Sequence, residues 1–105
     1  MRPKNFSDSV YAMTSLIPMG KVTTYGAIAK AMGLPRAARA VGNALGANGN
    51  PIVVPCHRVV RSDGALGGYS GGEGPVTKAK LLAREGVQVS GGRINLGKYL
   101  FADFP

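Results

Sequence analysis

The feature that most limits how this chain can fold is a pair of short helical patterns separated by helix-breaking residues. The first pattern runs from about Tyr25 to Met32, and either Thr23 or Thr24 can cap its first turn. Gly33 ends it, and Pro35 opens a second helix that we predict to run to about Leu45. Two short helices joined by about three residues are typical of a helix-turn-helix, whose second helix commonly enters a groove of DNA.

The second of these helices carries its long polar side chains on one face. Arg36, Arg39 and Asn43 are three and four residues apart, so a helix places them on the same side. The residues around Arg39 are small, which would let the helix backbone approach another molecule closely. An ordinary amphipathic surface helix has the same spacing, so the pattern alone leaves both readings open.

Three further segments complete a mainly α fold with a small β hairpin or wing. A first helix is predicted over about Phe6–Ile17. Val59–Leu66 has the composition of a hairpin with its turn at Ser62–Gly64. Pro75 opens a last helix over Val76–Glu85. Three cations are expected on or near the exposed side of that helix: Lys78, Lys80 and Arg84.

The charge of the chain indicates a polyanionic partner. Thirteen Lys and Arg residues against five Asp and Glu residues give a net charge of +8 in 105 residues. Nucleic acid is the first candidate and an anionic membrane surface the second, although a basic surface can also serve solubility alone. No apolar run approaches the length of a membrane span, so we expect no membrane insertion.

The length and the cysteine count limit the class of protein further. We expect one domain over residues 1–105 and a monomer. A single cysteine forms no internal disulfide, which favours the reducing cytoplasm as the compartment. One cysteine and one histidine do not complete a usual zinc site, and no phosphate-binding Gly-x-x-x-x-Gly-Lys-Ser/Thr loop is present. We therefore expect neither a metal nor a cofactor.

The single cysteine and the single histidine, Cys56 and His57, are adjacent. A thiol reacts as the thiolate, so a reactive cysteine needs a nearby base or positive charge. His57 can act as that base, and Arg58 adds positive charge. A lone cysteine in an apolar run is more often a small buried hydrophobic residue, and the cysteine by itself does not exclude this.

The segment Pro55-Cys-His-Arg-Val59 resembles the signature of the O6-alkylguanine-DNA alkyltransferases, specifically their C-terminal active-site domain. The resemblance extends from about Phe6 to Gly86. Four further motifs occur in the family's order: Gly20-Lys-Val-Thr-Thr-Tyr25-Gly, Ala37-Ala-Arg39-Ala-Val-Gly42, Gly68-Tyr69-Ser-Gly-Gly72 and Lys80-Leu-Leu-Ala-Arg-Glu85-Gly86. The resemblance implies a winged helix-turn-helix-like fold, without the N-terminal domain that many full-length alkyltransferases carry.

The resemblance also implies an activity, which is DNA repair by direct and irreversible transfer of an alkyl group from O6-alkylguanine to Cys56. In the family, His57 reaches the cysteine through a bound water and Glu85 orients the histidine. Tyr25 helps to rotate the nucleotide out of the duplex and bonds or protonates the flipped guanine. The implied partner is double-stranded DNA containing O6-alkylguanine, and the implied location is the cytoplasm, or the nucleoid or nucleus that holds the DNA.

The remaining roles follow from the same resemblance. Arg39 matches the finger that takes the place of the extruded base, and we expect its neighbours Arg36 and Asn43 to contact DNA as well. In the lesion pocket, Tyr69 packs over the base. The other implied contacts of the pocket and hinge come from the Ser70 amide at O6, the Val59 backbone at the guanine edge, and Asn48. Asn48 ties the hinge to the helix-turn-helix, but Gly49 stands where the family commonly has proline.

Three other functions compete with alkyl transfer. Related alkyltransferase-like proteins lack the cysteine, bind the flipped lesion and pass it to other repair proteins, and the presence of Cys56 argues against that reading. A winged-helix regulator would leave the Pro-Cys-His-Arg motif without a task. A cysteine hydrolase would leave the basic charge and the helix-turn-helix unexplained.

Overall fold

This computed structural model describes residues 5–48, 54–69 and 72–105. These residues contain five α-helices and a two-stranded sheet. The helices are α1 (Phe6–Thr14), α2 (Tyr25–Ala31), α3 (Ala38–Gly46), α4 (Pro75–Arg84) and α5 (Leu96–Tyr99), and the strands are β1 (Thr23–Thr24) and β2 (Val59–Val60). A 3₁₀ turn, Cys56–Arg58, directly precedes β2. No helix in these ranges is long and apolar enough to cross a membrane.

The helix-turn-helix prediction is confirmed for α2. The Thr24 hydroxyl accepts a hydrogen bond from the Ala27 N–H at 3.0 Å, which caps the helix. Gly33 has a φ of 76°, a backbone conformation that glycine adopts without strain, and it ends the helix.

The predicted start of α3 is wrong by three residues. The N–H of Ala37 donates to the Leu34 carbonyl at 2.9 Å, so Pro35 and Arg36 lie in a turn, and α3 begins at Ala38. Leu34 itself donates to Ala29 at 2.9 Å, which folds the chain back onto α2 before a new helix starts. Arg36 therefore precedes the helix that carries Arg39.

The sheet differs from the predicted hairpin because its strands are parallel. Thr23 pairs with Val59 and Thr24 with Val60. The turn itself forms, since Gly64 donates to the Arg61 carbonyl at 2.9 Å. Beyond the turn the chain bonds to the C-terminal segment instead of β2, with the N–H of Leu66 donating to Gly92 at 3.1 Å. The hairpin prediction considered only neighbours in sequence, and a more distant segment supplies the partner.

Two clusters of buried side chains lie on either side of β2. Successive residues of a strand point to opposite faces, so Val59 joins one cluster and Val60 the other. The first cluster is formed by α1, α2 and α3 with Cys56 at its edge, and the second by α4 and the C-terminal segment. The Tyr11 hydroxyl fixes α1 to α3 by donating to the Ala44 carbonyl at 2.7 Å. Cys56 thus belongs to the first cluster, and β2, which follows its turn, contributes to both.

Candidate active site

Cys56 lies on the wall of a cleft of about 540 Å³. The side of the cleft formed by α3 is lined by small residues, among them Ala38, Gly42 and Gly46. Its larger lining residues include Tyr25, Arg39, Arg61 and Tyr69. A cleft of this size with a nucleophile in its wall and few polar groups can hold a flat organic ring of the size of a nucleobase.

The cysteine is held by a tight backbone conformation. Its side chain is 7% exposed, and its N–H donates to the Val54 carbonyl at 2.7 Å. Arg58 closes the following turn by donating from its N–H to the Pro55 carbonyl at 2.9 Å. Pro55 lacks an N–H and has a restricted φ, which favours this sharp entry into the turn. Cys56 therefore lines the cleft from a backbone that is held by two turns.

The two residues that follow the cysteine, His57 and Arg58, share the carboxylate of Glu85. The Nε2 atom of His57, which is 1% exposed, lies 3.1 Å from Oε2 of Glu85. Arg58 grips the same carboxylate with two hydrogen bonds, from Nε to Oε1 at 2.9 Å and from a terminal nitrogen to Oε2 at 2.7 Å. The structure thus brings Glu85 and His57 together, and it adds Arg58 as the residue that orients the carboxylate.

The electrostatics of this group favour a neutral histidine beside an ionised carboxylate. Burial would raise the pKa of Glu85, but Arg58 and His57 together lower it below its ordinary value. Burial lowers the pKa of His57, and Glu85 opposes that shift only in part. Neither nitrogen of the His57 ring makes an aligned hydrogen bond to a described residue. A buried neutral imidazole of this kind can accept a proton.

Tyr25 stands at the start of α2 with its ring against the cleft. Burial raises its pKa and so does the neighbouring Cys56, whereas Arg61 lowers it, and the net shift is upward. A Cβ atom on Gly67, whose φ is 73°, would lie 3.0 Å from the Tyr25 hydroxyl oxygen. Glycine at position 67 therefore leaves the space that the phenol occupies. Because its pKa is raised, the phenol is protonated at neutral pH.

The prediction that Lys78 lies on or near the exposed side of α4 is wrong, since the residue is 0% exposed. Its ammonium donates to the carbonyls of Val59 at 2.7 Å and Gly68 at 3.1 Å, and also to the carbonyl of Leu66. The Tyr25 hydroxyl lies 3.5 Å from the same nitrogen. Burial lowers the pKa of Lys78 to about 8, although Cys56 opposes the shift.

One sequence signal could have located Lys78. It stands four residues before Leu82, the other fully buried residue of α4, and therefore on the inner stripe of the helix. A lysine is almost never fully buried unless its charge has partners, so the prediction placed it outside. The other two cations of α4, Lys80 and Arg84, are exposed as predicted.

Arg36, Arg39 and Asn43, which we predict to contact DNA, are all exposed. Arg39 and Asn43 are exposed on α3, and Arg39 lines the cleft, whereas the exposed Arg36 belongs to the preceding turn. Tyr69 lines the cleft and is half-buried. The side chain of Asn48 donates to the Val54 carbonyl at 3.0 Å, which joins the end of α3 to the segment before Cys56.

Of the two other residues predicted for the lesion pocket, the structure describes Val59 but not Ser70. Val59 is absent from the lining of the cleft, because the side chain is buried in the core and the backbone belongs to β2. Ser70 lies outside the described residues, as does Gly49 of the hinge. In the described ranges no group of three or more metal-ligating side chains lies together.

Comparison with known proteins identifies the family. The DNA-binding domain of 6-O-methylguanine DNA methyltransferase, as a family model, matches residues 5–87. The chain belongs to this family, and its mainly helical fold is that of the alkyltransferase C-terminal domain.

Two curated relatives illustrate the similarity. The methylated-DNA–protein-cysteine methyltransferase of Rattus norvegicus is 47% identical over 78 residues, which are 74% of this chain and 37% of the rat protein. The bifunctional methyltransferase/endonuclease of Picrophilus torridus is 43% identical over 95 residues, which are 90% of this chain and 31% of that protein. The chain spans about a third of the length of these relatives.

Two solved structures show the same fold bound to DNA. S. pombe Atl1, in complex with damaged DNA containing O6-carboxymethylguanine, matches with a TM-score of 0.84 and 35% identity over 96% of this chain and 98% of that chain. Mycobacterium tuberculosis OGT, in complex with DNA, matches with a TM-score of 0.75 and 45% identity over 81% of this chain and 51% of that chain.

Proposed function

We propose that this chain repairs O6-alkylguanine in DNA by transferring the alkyl group irreversibly to Cys56. The observation that carries the proposal is the position of Cys56 in the wall of a base-sized cleft, next in sequence to His57, whose ring pairs with Glu85. Membership of the alkylguanine repair family supports it, and so do the DNA complexes of Atl1 and OGT.

The nucleotide has to leave the duplex before it can react. The alkyl carbon on O6 is inaccessible to a side chain while the base is stacked, and extruding a base costs a few kcal/mol. Arg39 stands at the cleft on an exposed helix face and is the residue we assign to fill the space left in the duplex, with Arg36 and Asn43 contacting the DNA beside it. The net charge of +8 adds affinity that is independent of sequence and weakens with salt.

Transfer is a single displacement at the alkyl carbon. His57 takes the thiol proton, directly or through a bound water, and the Cys56 thiolate forms the new S–C bond as the C–O6 bond breaks. The electron pair of the broken bond passes to the guanine, which takes a proton or a hydrogen bond from the Tyr25 phenol. Glu85, oriented by Arg58, stabilises the imidazolium that forms. The thioether is not hydrolysed, so each molecule reacts once.

The test is the mass of the intact protein after incubation with duplex DNA that contains one O6-methylguanine. We expect a gain of one CH₂ per molecule, no further gain with excess DNA, and no gain in Cys56→Ala. Incubation with the same duplex carrying guanine is the control. An unchanged mass with O6-methylguanine would exclude alkyl transfer.

A second candidate is a sensor that binds the lesion without transfer and passes it to downstream repair proteins. It is favoured by one observation, which is that the fold matches Atl1, solved in complex with damaged DNA, with a TM-score of 0.84, against 0.75 for OGT. The mass measurement separates the two functions. A sensor binds O6-methylguanine duplex more tightly than guanine duplex, in the parent protein and in Cys56→Ala alike, while its mass stays constant.

A further inference from the structure

Two of the described residues that line the cleft carry a full positive charge, Arg39 and Arg61. Arg39 projects from the exposed face of α3, where DNA is expected, but Arg61 starts from a different place. It directly follows β2, and its N–H donates to the Ala65 carbonyl at 2.9 Å, while its own carbonyl accepts from the Gly64 N–H at 2.9 Å. The backbone of Arg61 is therefore fixed next to β2, the strand that follows Cys56.

The stem of Arg61 lies beside the Tyr25 phenol. A Cβ atom built on Gly67 would lie 3.5 Å from Cγ of Arg61 and 3.0 Å from the Tyr25 hydroxyl oxygen, so the two side chains approach the same glycine. The charge of Arg61 also lowers the pKa of Tyr25, although burial and Cys56 raise that pKa by more. The stem of a cationic side chain thus lies beside the Tyr25 phenol in the lining of the cleft.

The guanidinium is only loosely held by the protein. Its Nε lies 3.9 Å from Oδ1 of Asp63, and the two side chains are 65% and 49% exposed. Asp63 also faces Arg93, with a terminal nitrogen of Arg93 3.7 Å from Oδ2. An exposed pair at this distance contributes little free energy, so Arg61 can exchange it for another carboxylate at little cost.

We propose that Arg61 is a specificity-determining residue that favours O6-alkylguanines whose alkyl group carries a carboxylate. The inference rests on the proposed function, since it requires an alkylated base held against Cys56. In O6-carboxymethylguanine the reacting carbon bears a carboxylate one bond further out, and a base held against Cys56 would bring that carboxylate into the cleft that Arg61 also lines. A guanidinium binds a carboxylate through two parallel hydrogen bonds, which a neutral alkyl group of the same size does not offer.

The experiment measures binding in a Cys56→Ala chain, so that no transfer occurs. Four duplexes of one sequence are compared by fluorescence anisotropy at fixed salt, carrying guanine, O6-methylguanine, O6-carboxymethylguanine or its neutral amide, O6-carbamoylmethylguanine. We expect the carboxylate to be bound about two- to fivefold more tightly than the amide, the range typical of an exposed ion pair. Adding Arg61→Gln is expected to abolish this preference, and Arg61→Lys to retain part of it.

Arg93→Gln is the matched control, because Arg93 pairs with the same aspartate but does not line the cleft. It is expected to keep the preference for the carboxylate. Equal binding of carboxylate and amide by the Cys56→Ala chain would overturn the inference. So would an equal loss of affinity for all four duplexes in Arg61→Gln, because that result indicates a phosphate contact. Failure of the proposed function is a separate result, namely an unchanged mass of the parent protein after incubation with O6-methylguanine DNA.

Discussion

The ammonium of Lys78 lies 2.7 Å from the carbonyl oxygen of Val59, at a position where the side chain has no exposed surface. Through this bond and those to Leu66 and Gly68, one residue of α4 joins the strand after Cys56 to the glycine-containing segment that lines the cleft. The buried ammonium of Lys78 therefore stabilises the wall of the cleft through its hydrogen bonds.

Replacing Lys78 is expected to destabilise the chain strongly. In Lys78→Met the three carbonyls lose their donor, and buried hydrogen bonds to a charged group are worth about 1.5–3 kcal/mol each before relaxation. We expect a loss of about 2–4 kcal/mol in the free energy of unfolding, measured by urea denaturation. Lys80→Met, on the exposed side of the same helix, should change it by less than about 0.5 kcal/mol. Equal effects of the two substitutions would contradict the role of Lys78.

The lowered pKa of Lys78 also predicts how stability depends on pH. The pKa is about 8 in the folded chain against 10.5 for an ordinary lysine, so between these values the unfolded chain binds more protons. Stability due to this group therefore rises as pH increases from about 8 to 10.5 and is lowest, with its full burial cost, below pH 8.

The measurement is the difference in unfolding free energy between the parent and Lys78→Met across this pH range. The Tyr25 hydroxyl lies 3.5 Å from the Lys78 nitrogen and Cys56 acts on the pKa of Lys78, so both proteins should carry Tyr25→Phe and Cys56→Ala. We expect the parent to gain stability relative to Lys78→Met as the pH rises. A constant difference would show that Lys78 has an ordinary pKa and a shrinking one that its pKa is raised, and either result would contradict the prediction.

Glu85→Gln is expected to slow transfer while leaving lesion binding largely intact. The substitution removes the charge that stabilises protonated His57, and loss of such assistance lowers rates by about 10²-fold. The measurement is the single-turnover rate of methyl transfer, with the affinity of the Cys56→Ala form for O6-methylguanine DNA measured in parallel. An unaltered rate would exclude Glu85 from proton transfer, and a parallel loss of affinity would indicate a structural defect around Arg58 instead.

Gly67→Ala should disturb the cleft, whereas Gly68→Ala should not. The added methyl group at position 67 meets the Tyr25 hydroxyl at 3.0 Å on a backbone with φ of 73°, while at position 68 nothing lies within 4 Å. Strain of this kind costs about 1–3 kcal/mol, and we expect a comparable loss of affinity for O6-methylguanine DNA, about tenfold. Affinity for undamaged DNA should stay constant. Similar behaviour of the two variants would contradict the close approach of Tyr25 to Gly67.

Sequence alone was sufficient for the elements whose boundaries depend on local interactions. The cap of α2 at Thr24 lies within three residues of the N–H that it accepts. The stop at Gly33 depends on one φ angle, and α4 begins at Pro75 as predicted because a first-turn proline needs no N–H partner. The adjacency of Cys56 and His57, and the motif around them, likewise needed no structure to identify the family.

Tertiary structure decided what depends on distant partners. Val59 pairs with Thr23, 36 positions earlier, instead of with the far arm of its own turn. Arg58 forms its hydrogen bonds with Glu85, which is 27 residues away. Lys78 is buried because three backbone carbonyls accept hydrogen bonds from it, those of Val59, Leu66 and Gly68. A helical pattern specifies which residues share a face but not what covers that face. The free energy of burying a charge depends on those covering groups, so the position of Lys78 beside the cleft emerged only from the folded chain.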